Sequence, residues 1–416
     1  MRAEPPSPSG AGAAADLAPF DLPLSLLRRR TSIKWRAAGP EVLPLWVAEM
    51  DVMPAEEVVA AVRSAVELGD TGYACGTGYA EAAAAFAEAR WGSGCLDPAR
   101  SALVPDVMLG VVEILGLVTG VGSTVVVTPP VYPPFYAFAE HHGRKVLEVP
   151  LDAAGRLDLE ALGEAFERAG AASGSVFLLS NPHNPTGTVH TAGELTVLAA
   201  LAEAAGVRVV ADEIHSPLVL AGASFTPFLS VPGSGTGFSL FSASKAWNLA
   251  GLKAAVAFAG PDAAAELARL PEEVGHGVSH LGVIAHSAAL RHGGGWLDAA
   301  LSGLDRNRRL LGELLGAHLP EVRWRPPEAT FLAWLDCAGV EAIPPSHLGA
   351  PAAVRGDASA RAGAAAWWLE QAGVLLSSGP AFGPGGESFV RLNFATSASV
   401  LDEALSRMGR AVAGSC

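Results

Sequence analysis

The sequence predicts an α/β protein, with a large domain built on a mostly parallel sheet and a smaller α+β domain after it. Three observations lead to this expectation. The 416 residues can bury a large core, and half of them are apolar. Short apolar runs alternate with helical patterns in the middle of the chain, and the pattern changes near Gly293. Continuous apolar strands separated by helices are typical of a parallel sheet covered on both faces.

Six apolar or β-branched runs are the predicted strands of the large domain. They are residues 123–128, 145–149, 176–180, 207–211, 239–242 and 254–259. Amphipathic helices rich in Ala, Leu and Glu lie between several of them, such as residues 159–169 and 192–205. Ligands of such sheets bind at the carboxyl ends of the strands. The segments that follow these strands are therefore the places where chemistry is expected.

The domain boundaries follow from the same patterns. We expect the large domain at residues 55–290 and the small domain at residues 291–416, with residues 20–54 packing against the small domain. Residues 1–19 are rich in Pro, Ser, Gly and Ala and have no continuous apolar stretch. They are interpreted as a disordered tail rather than a signal peptide.

Within the small domain a long helix is predicted at residues 296–317. Strand-like segments follow at residues 330–336 and 389–394.

Composition excludes several classes of function. The net charge is −14, from 42 acidic and 28 basic residues, which argues against binding of nucleic acid or of an anionic membrane. The most apolar stretch, residues 107–127, is interrupted by Glu113 and several glycines, so it is predicted to be buried rather than membrane-spanning.

The cysteines lie far apart and form no CxxC pair. They are Cys75, Cys95, Cys337 and Cys416. A structural metal site or a disulfide framework is therefore not expected, and a reducing cytoplasm is the predicted location.

Lysine is scarce in this chain. Of the 28 basic residues only four are lysines, which are Lys34, Lys145, Lys245 and Lys253. A lysine among so many arginines is a candidate for a role that needs an amine able to lose its proton. Lys245 follows Ser242 and Ser244 at a predicted strand end, where small hydroxyl residues often hold phosphate oxygens. Lys253 supplies a second cation eight residues later.

Three further motifs stand at strand ends. Residues 181–187 contain two Asn-Pro pairs, and although a plain turn is one interpretation, Asn184 offers an amide to a ligand. Asp212 ends an apolar strand, where a carboxylate is costly unless it is paired. It is either a satisfied structural acid or the partner of a cationic ring nitrogen. His215, considered alone, is more often structural.

Arg391 interrupts the apolar strand at residues 389–394. A buried arginine requires a planar anion, and a carboxylate bound in a bidentate manner is the best match.

In this order the motifs resemble the fold-type I, class I/II aminotransferase superfamily of pyridoxal 5′-phosphate (PLP) enzymes. The most similar group is the MalY/PatB group of cystathionine β-lyase-like C–S lyases. Residues 32–35, 43–51, 128–135, 291–297, 330–336 and 379–383 add to the likeness, which runs from about Arg28 to Arg410. The resemblance implies a seven-stranded sheet between helices, PLP as the cofactor and an amino acid as the substrate.

The resemblance also implies roles for individual residues. Lys245 is the Schiff-base lysine and the acid and base at Cα and C4′. Asp212 pairs with the pyridinium nitrogen, and Asn184 donates to the phenolate oxygen. Tyr132 stacks on the cofactor ring as a catalytic aromatic, unless it is only a core tyrosine, and His215 contacts the cofactor.

The phosphate is expected at a helix N-terminus formed by Gly110, Val111 and Val112. Ser242, Ser244 and Lys253 complete that site.

Tyr73 resembles a tyrosine that reaches the phosphate of a neighbouring subunit, which implies a homodimer with shared sites. On the substrate side the resemblance implies Arg391, which holds the α-carboxylate, together with Asn184, Trp46 and Glu49.

Two reactions remain open at this stage. The favoured hypothesis is α,β-elimination from cystathionine or another S-substituted cysteine, giving a thiol, pyruvate and ammonia. The alternative is an aminotransferase that passes the amino group to a 2-oxo acid, and a decarboxylating variant is also compatible. A regulator that binds the cofactor without turnover is disfavoured by the intact set of Asn184, Asp212, Lys245 and Arg391. The sulfur substituent and any assembly beyond the dimer are not encoded in these motifs.

Overall fold

The structure, a computed structural model, describes residues 19–170, 174–348 and 362–414. Residues 1–18 of the predicted tail lie outside this part of the chain. The N-terminal segment contains α1 (Leu24–Leu27), α2 (Ile33–Arg36) and β1 (Leu43–Pro44).

The helices and strands of the large domain follow in chain order. They are α3 (Glu56–Leu68), α4 (Gly78–Trp91), β2 (Ser101–Val104), α5 (Val107–Val118), β3 (Thr124–Val127), α6 (Pro134–His141), β4 (Lys145–Glu148), α7 (Leu159–Ala169), β5 (Val176–Ser180), α8 (Ala192–Ala205), β6 (Arg208–Asp212), β7 (Phe238–Phe241), β8 (Ala255–Ala259), α9 (Ala264–Leu267), α10 (Glu272–His276) and α11 (His280–His292).

The small domain contains the remaining elements. They are α12 (Gly294–His318), β9 (Arg323–Trp324), β10 (Leu332–Asp336), α13 (Pro345–Leu348), α14 (Gly363–Ala372), β11 (Val374–Leu375), β12 (Ser377–Ser378), β13 (Phe389–Asn393) and α15 (Ala398–Ala413).

A seven-stranded sheet in the order β2-β8-β7-β6-β5-β3-β4 forms the centre of the large domain. Strands β4, β3, β5, β6 and β7 are parallel to one another, and β8 runs antiparallel to both β7 and β2. The predicted mostly parallel, seven-stranded sheet is confirmed. All six predicted strands are present. The sequence prediction missed β2, the strand at the edge of the sheet beside β8.

Two apolar layers cover the sheet. On one face α5 and α6 bury side chains such as Ile114 and Phe135, and on the other α7 and α8 bury Phe166 and Leu198. Each fully buried side chain of this kind stabilises the fold by about 1.5–3 kcal/mol. Burial on both faces explains why these strands read as continuous apolar runs. None of the helices in the described residues is both long and apolar enough to cross a membrane.

The small domain is built on an antiparallel sheet in the order β12-β13-β10-β9. Strand β1 pairs in parallel with β11, with Leu43 opposite Val374, so the N-terminal segment is hydrogen-bonded to this domain. Strand β13 carries Arg391 in the middle of the sheet. This antiparallel sheet therefore carries a buried cation.

Candidate active site

A cavity of about 370 Å³ lies at the carboxyl ends of β5, β6 and β7 and is also lined by Arg391 of β13. This volume is within the usual range for a small-molecule site. Ten of the residues predicted from the sequence line it. They are Trp46, Tyr132, Asn184, Asp212, His215, Ser242, Ser244, Lys245, Lys253 and Arg391. The parallel strands bring these residues together from widely separated parts of the chain.

Lys245 lies in the loop that follows β7. Its Nζ donates a hydrogen bond to the carbonyl oxygen of Ala48, 3.1 Å away. Burial, together with the nearby Arg391, lowers the pKa of Lys245 to about 8. The amine therefore loses its proton more readily than that of an ordinary lysine, as a nucleophile or a base must.

Asp212 ends β6 and is buried at the bottom of the cavity. Its Oδ1 accepts a hydrogen bond from the backbone N–H of Ile214 at 3.1 Å, and burial raises the pKa of Asp212 to about 6. The carboxylate forms no ion pair with any residue that the structure describes. A cationic N–H group in the cavity would stabilise its charged form.

Asn184, in the loop after β5, is hydrogen-bonded to Arg391 of β13. Arg391 Nη1 donates to Asn184 Oδ1 at 3.0 Å, so the amide N–H₂ of Asn184 stays available to a ligand. Gly187 closes this loop with φ of +70°, and a Cβ there would lie 2.3 Å from Cβ of Pro327. The loop that holds Asn184 therefore requires glycine at its end.

The guanidinium of Arg391 is buried and has only neutral partners in the described residues. Its Nη2 donates to the carbonyl oxygen of Trp46 at 3.0 Å and to Ser377 Oγ at 3.2 Å, and the guanidinium lies over the ring of Phe382. Burial lowers the pKa of Arg391 to about 10, which leaves it charged. A buried cation without a carboxylate partner is a binding site for an anion.

His215 and Tyr132 line the cavity as uncharged side chains. Burial, with Lys245 and Arg391 nearby, lowers the pKa of His215 to about 3, so the imidazole is uncharged at neutral pH. Burial raises the pKa of Tyr132 to about 12, so its phenol keeps its proton. Each can donate or accept a hydrogen bond there without adding charge.

The predicted phosphate-binding helix begins earlier than expected. Helix α5 starts at Val107 with Asp106 as its N-cap, and the N–H of Gly110 is already bonded to the carbonyl oxygen of Asp106. A Cβ on Gly110 would lie 2.4 Å from the Leu240 side chain, so this glycine packs against the sheet. The assignment of Gly110, Val111 and Val112 to the phosphate is therefore wrong. The residues at the N-terminus of this helix that line the cavity are Val107 and Met108.

The two predicted serines differ. Ser242 Oγ donates to the carbonyl oxygen of Ala254 at 2.7 Å and accepts from the N–H of Ser244, so it offers a ligand no hydrogen while these bonds are kept. Ser244 lines the cavity with its hydroxyl. Lys253 Nζ forms an ion pair with Asp106 Oδ2 at 2.8 Å.

Sequence reasoning missed how residues 46–51, called here the 46–51 segment, are held in place. The segment carries Trp46 and Ala48 into the cavity wall. In addition to charged side chains such as Lys245 and Arg391, three uncharged side chains from distant elements bind its backbone. Ser377 donates a hydrogen bond to Trp46 O, and Asn393 donates to Val47 O and Glu49 O. Asn248 accepts from the N–H of Met50 and donates to its carbonyl oxygen. Asn248 has φ of +56°, which asparagine tolerates better than most residues.

A buried ion pair fixes the end of this segment. Lys34 Nζ donates to Asp51 Oδ2 at 2.8 Å and to the carbonyl oxygen of Glu49 at 3.0 Å, and Trp35 Nε1 donates to Asp51 Oδ1 at 2.9 Å. Lys34 and Asp51 are both almost fully buried. Helix α2 therefore determines the position of the cavity wall.

Two predicted residues do not line the cavity of this single chain. Tyr73 is 78% exposed, and its ring contacts His276. The wall includes Trp46, Val47 and Ala48 but not Glu49, whose main-chain oxygen binds Lys34 and Asn393. The contacts of Tyr73 with a partner's cofactor and of Glu49 with the substrate stay predictions.

Three polar atoms in the cavity wall are buried without a hydrogen-bond partner among the described residues. They are Trp46 Nε1, His215 Nδ1 and Arg391 Nε. Native proteins satisfy most buried polar groups, so such atoms at a cavity indicate a polar ligand. With the amine of Lys245 and the carboxylate of Asp212, the donor set fits PLP and an amino acid. No group of three or more possible metal ligands occurs in the described ranges.

The chain is similar to known proteins over nearly its whole length. Residues 42–408 match the family described as Aminotransferase class I and II. A protein of Mycobacterium tuberculosis (strain H37Rv), assigned as a cystathionine beta-lyase, is 57% identical over 399 residues, covering 94% of this chain and 97% of that protein. Cystathionine beta-lyase PatB of Bacillus subtilis is 33% identical over 395 residues, covering 92% and 96%.

A solved structure extends the comparison to three dimensions. A Corynebacterium diphtheriae protein assigned as a PLP-dependent beta-cystathionase has a TM-score of 0.83 and 32% identity, covering 95% of this chain and 99% of its own.

Proposed function

The chain belongs to the class I and II aminotransferase family, and from this premise we propose that it is a PLP-dependent carbon–sulfur β-lyase. Its substrate class is cystathionine or another S-substituted L-cysteine. The products are a thiol, pyruvate and ammonia. The relatives assigned as cystathionine β-lyases favour this reaction over amino-group transfer.

One observation carries the proposal. A single cavity joins an amine of lowered pKa (Lys245), a buried carboxylate without a cation (Asp212) and a buried guanidinium without an anion (Arg391). These groups match the aldehyde, the ring nitrogen and the substrate carboxylate of a PLP reaction. No two of them satisfy each other in the free chain.

The cofactor supplies an electron-withdrawing ring at the substrate Cα. Lys245 would hold the cofactor, and its amine would take the proton from Cα once the amino group of the substrate has replaced it. Asp212 would keep the ring nitrogen protonated, and Asn184 would donate to the ring oxygen while its own oxygen accepts from Arg391. Arg391 binds the α-carboxylate and so fixes which Cα bond faces Lys245. When the Cα proton leaves, the Cβ–S bond breaks, the sulfur leaves as a thiol, and the remaining three-carbon unit hydrolyses to pyruvate and ammonia.

The reaction is tested by incubating the purified protein with cystathionine and a panel of S-substituted cysteines in the absence of any 2-oxo acid. We expect equal amounts of pyruvate and thiol over many turnovers. Pyruvate is measured by coupled reduction and thiol by a chromogenic reagent. Turnover that strictly requires a 2-oxo acid, with no pyruvate released, would instead establish an aminotransferase.

Replacing Arg391 by lysine should raise KM for the S-substituted cysteine by about 10- to 100-fold, with a smaller change in kcat. A point charge keeps the attraction but loses the bidentate geometry, and a hydrogen bond to a charged group contributes about 1.5–3 kcal/mol. Steady-state kinetics on pyruvate release measure both constants. Arg410→Lys, which changes an exposed arginine on α15, is the matched control. An unchanged KM would remove Arg391 from substrate binding.

A homodimer is the second part of the proposal. Exposed apolar side chains concentrate along α3 and the loop after it, with Val66 at 54%, Leu68 at 80% and Tyr73 at 78% exposure. Large apolar groups side by side on a surface mark an interaction site. A second copy of the chain would cover them and bring Tyr73 to the partner's phosphate site, which also supports a shared active site.

Leu68→Asp should shift the protein from dimer to monomer and weaken cofactor retention, because a charge would be buried in the interface. Light scattering coupled to size-exclusion chromatography gives the mass of each species. Val121→Asp is the control, since Val121 is 87% exposed in the turn between α5 and β3. A wild-type monomer at micromolar concentration would contradict the dimer.

We also place the enzyme in the cytoplasm. Cys75, Cys95 and Cys337 are all free thiols, as expected in a reducing compartment.

A further inference from the structure

We propose that Asp106 weakens the binding of the cofactor's phosphate group to this chain. The carboxylate of Asp106 neutralises Lys253, the lysine of the phosphate site. The inference rests on the proposed function, since it takes the cavity to be the PLP site. It goes beyond that function by assigning Asp106 a role in cofactor retention.

Two contacts fix the carboxylate of Asp106. Its Oδ1 accepts the hydrogen bond of the Leu109 N–H at 2.9 Å, which caps helix α5. Its Oδ2 lies 2.8 Å from Lys253 Nζ. Asp106, Val107, Met108 and Lys253 all line the same cavity. The helix N-terminus, the lysine and the carboxylate are therefore parts of one site.

The charges at this end of the cavity oppose each other. A phosphate ester carries about −1.5 to −2 at neutral pH, and a helix N-terminus offers about half a positive charge. Lys253 adds one positive charge and Asp106 removes it, so the pair is neutral overall. The carboxylate would also repel a phosphate group bound at this helix N-terminus. Partial exposure of both side chains reduces these effects but does not remove them.

Capping of helix α5 does not require a charged side chain at position 106. Serine and asparagine cap helices as well as aspartate does, and either would leave Lys253 free for the phosphate. The charge of Asp106 is therefore the property that distinguishes this site. Its consequence is a cofactor that leaves the protein more readily than a neutral cap would allow.

The test follows cofactor loss from full-length holoenzyme. Wild type and Asp106→Asn are loaded with PLP or with pyridoxal, which lacks the phosphate, and diluted with a scavenger, and the visible absorbance is followed over time. We expect Asp106→Asn to lose PLP about tenfold more slowly, since removing a nearby like charge is worth on the order of a factor of ten. Release of pyridoxal should be unchanged. Lys253→Gln should release PLP faster.

Matched variants keep the outcome interpretable. Asp158→Asn makes the same change at the N-cap of α7, where Asp158 accepts from the Ala161 N–H, and it should have no effect. Asp106→Ser provides a second neutral cap if Asp106→Asn folds poorly. Equal or faster PLP release from both Asp106 variants overturns the inference. A wild-type protein that binds no PLP refutes the proposed function itself, so the two failures are distinct.

Discussion

Replacing Lys245 by alanine should abolish the bound visible absorbance of the cofactor and reduce pyruvate release by more than about 10³-fold. Lys245 is the lysine whose amine lies in the cavity wall beside Asp212, and its pKa is lowered to about 8. Without it the chain loses both the covalent attachment and the base at Cα. Absorbance of the purified protein and steady-state pyruvate formation measure the two losses separately.

Lys145→Ala is the matched control, because Lys145 is an exposed lysine at the start of β4 and lies outside the cavity. It should behave as wild type. A Lys245→Ala protein that kept full turnover would overturn the central assignment.

Asp51→Asn should lower the free energy of unfolding by about 3–5 kcal/mol, because it leaves the ammonium of Lys34 buried without its partner. The distance of 2.8 Å and the nearly complete burial of both groups make this pair unlike the surface ion pairs of the chain. Urea-induced unfolding followed by tryptophan fluorescence gives the difference. The variant should also raise KM, since Asp51 anchors the 46–51 segment that forms the cavity wall.

Two variants separate this mechanism from a general effect of charge removal. Glu403→Gln breaks the exposed Arg407–Glu403 pair on α15 and should cost less than about 1 kcal/mol. The double variant Lys34→Met/Asp51→Asn removes the buried charge as well and should recover part of the stability lost in Asp51→Asn. A double variant no more stable than the single one would contradict the explanation.

The site residues that could best be predicted from the sequence are charged residues in or beside buried, apolar segments. Asp212, Lys245 and Arg391 are charged residues at the ends or in the middle of apolar strands, and such residues persist only with a partner or a ligand. The positions of Asp212 and Lys245 in the cavity follow from the parallel sheet, whereas Arg391 comes from β13 of the antiparallel sheet. The six predicted strands were recognisable because burial on both faces leaves an uninterrupted apolar run.

The site prediction failed at two kinds of contact: the cap that sets the start of a helix, and hydrogen bonds made by main-chain atoms. The start of helix α5 was set by Asp106, an N-cap residue directly before the apolar run, whereas the Gly110-Val-Val pattern lies inside the helix. Trp46 and Ala48 bind two of the basic side chains of the cavity, Arg391 and Lys245, through main-chain carbonyls, which any residue possesses. The sequence of one chain also says little about Tyr73, whose predicted contacts lie on a second copy.

The main-chain role of the 46–51 segment has a consequence for engineering. The carbonyl oxygens of Trp46 and Ala48 hold Arg391 and Lys245, and Trp46, Val47 and Ala48 all line the cavity. The reactive groups are thus supported by main-chain oxygens, which remain in place when a side chain of this segment is replaced. Libraries randomised at Val47 and Ala48 can change which thioether fits while the reactive groups keep their supports. This main-chain support makes the segment a natural place to evolve new specificity.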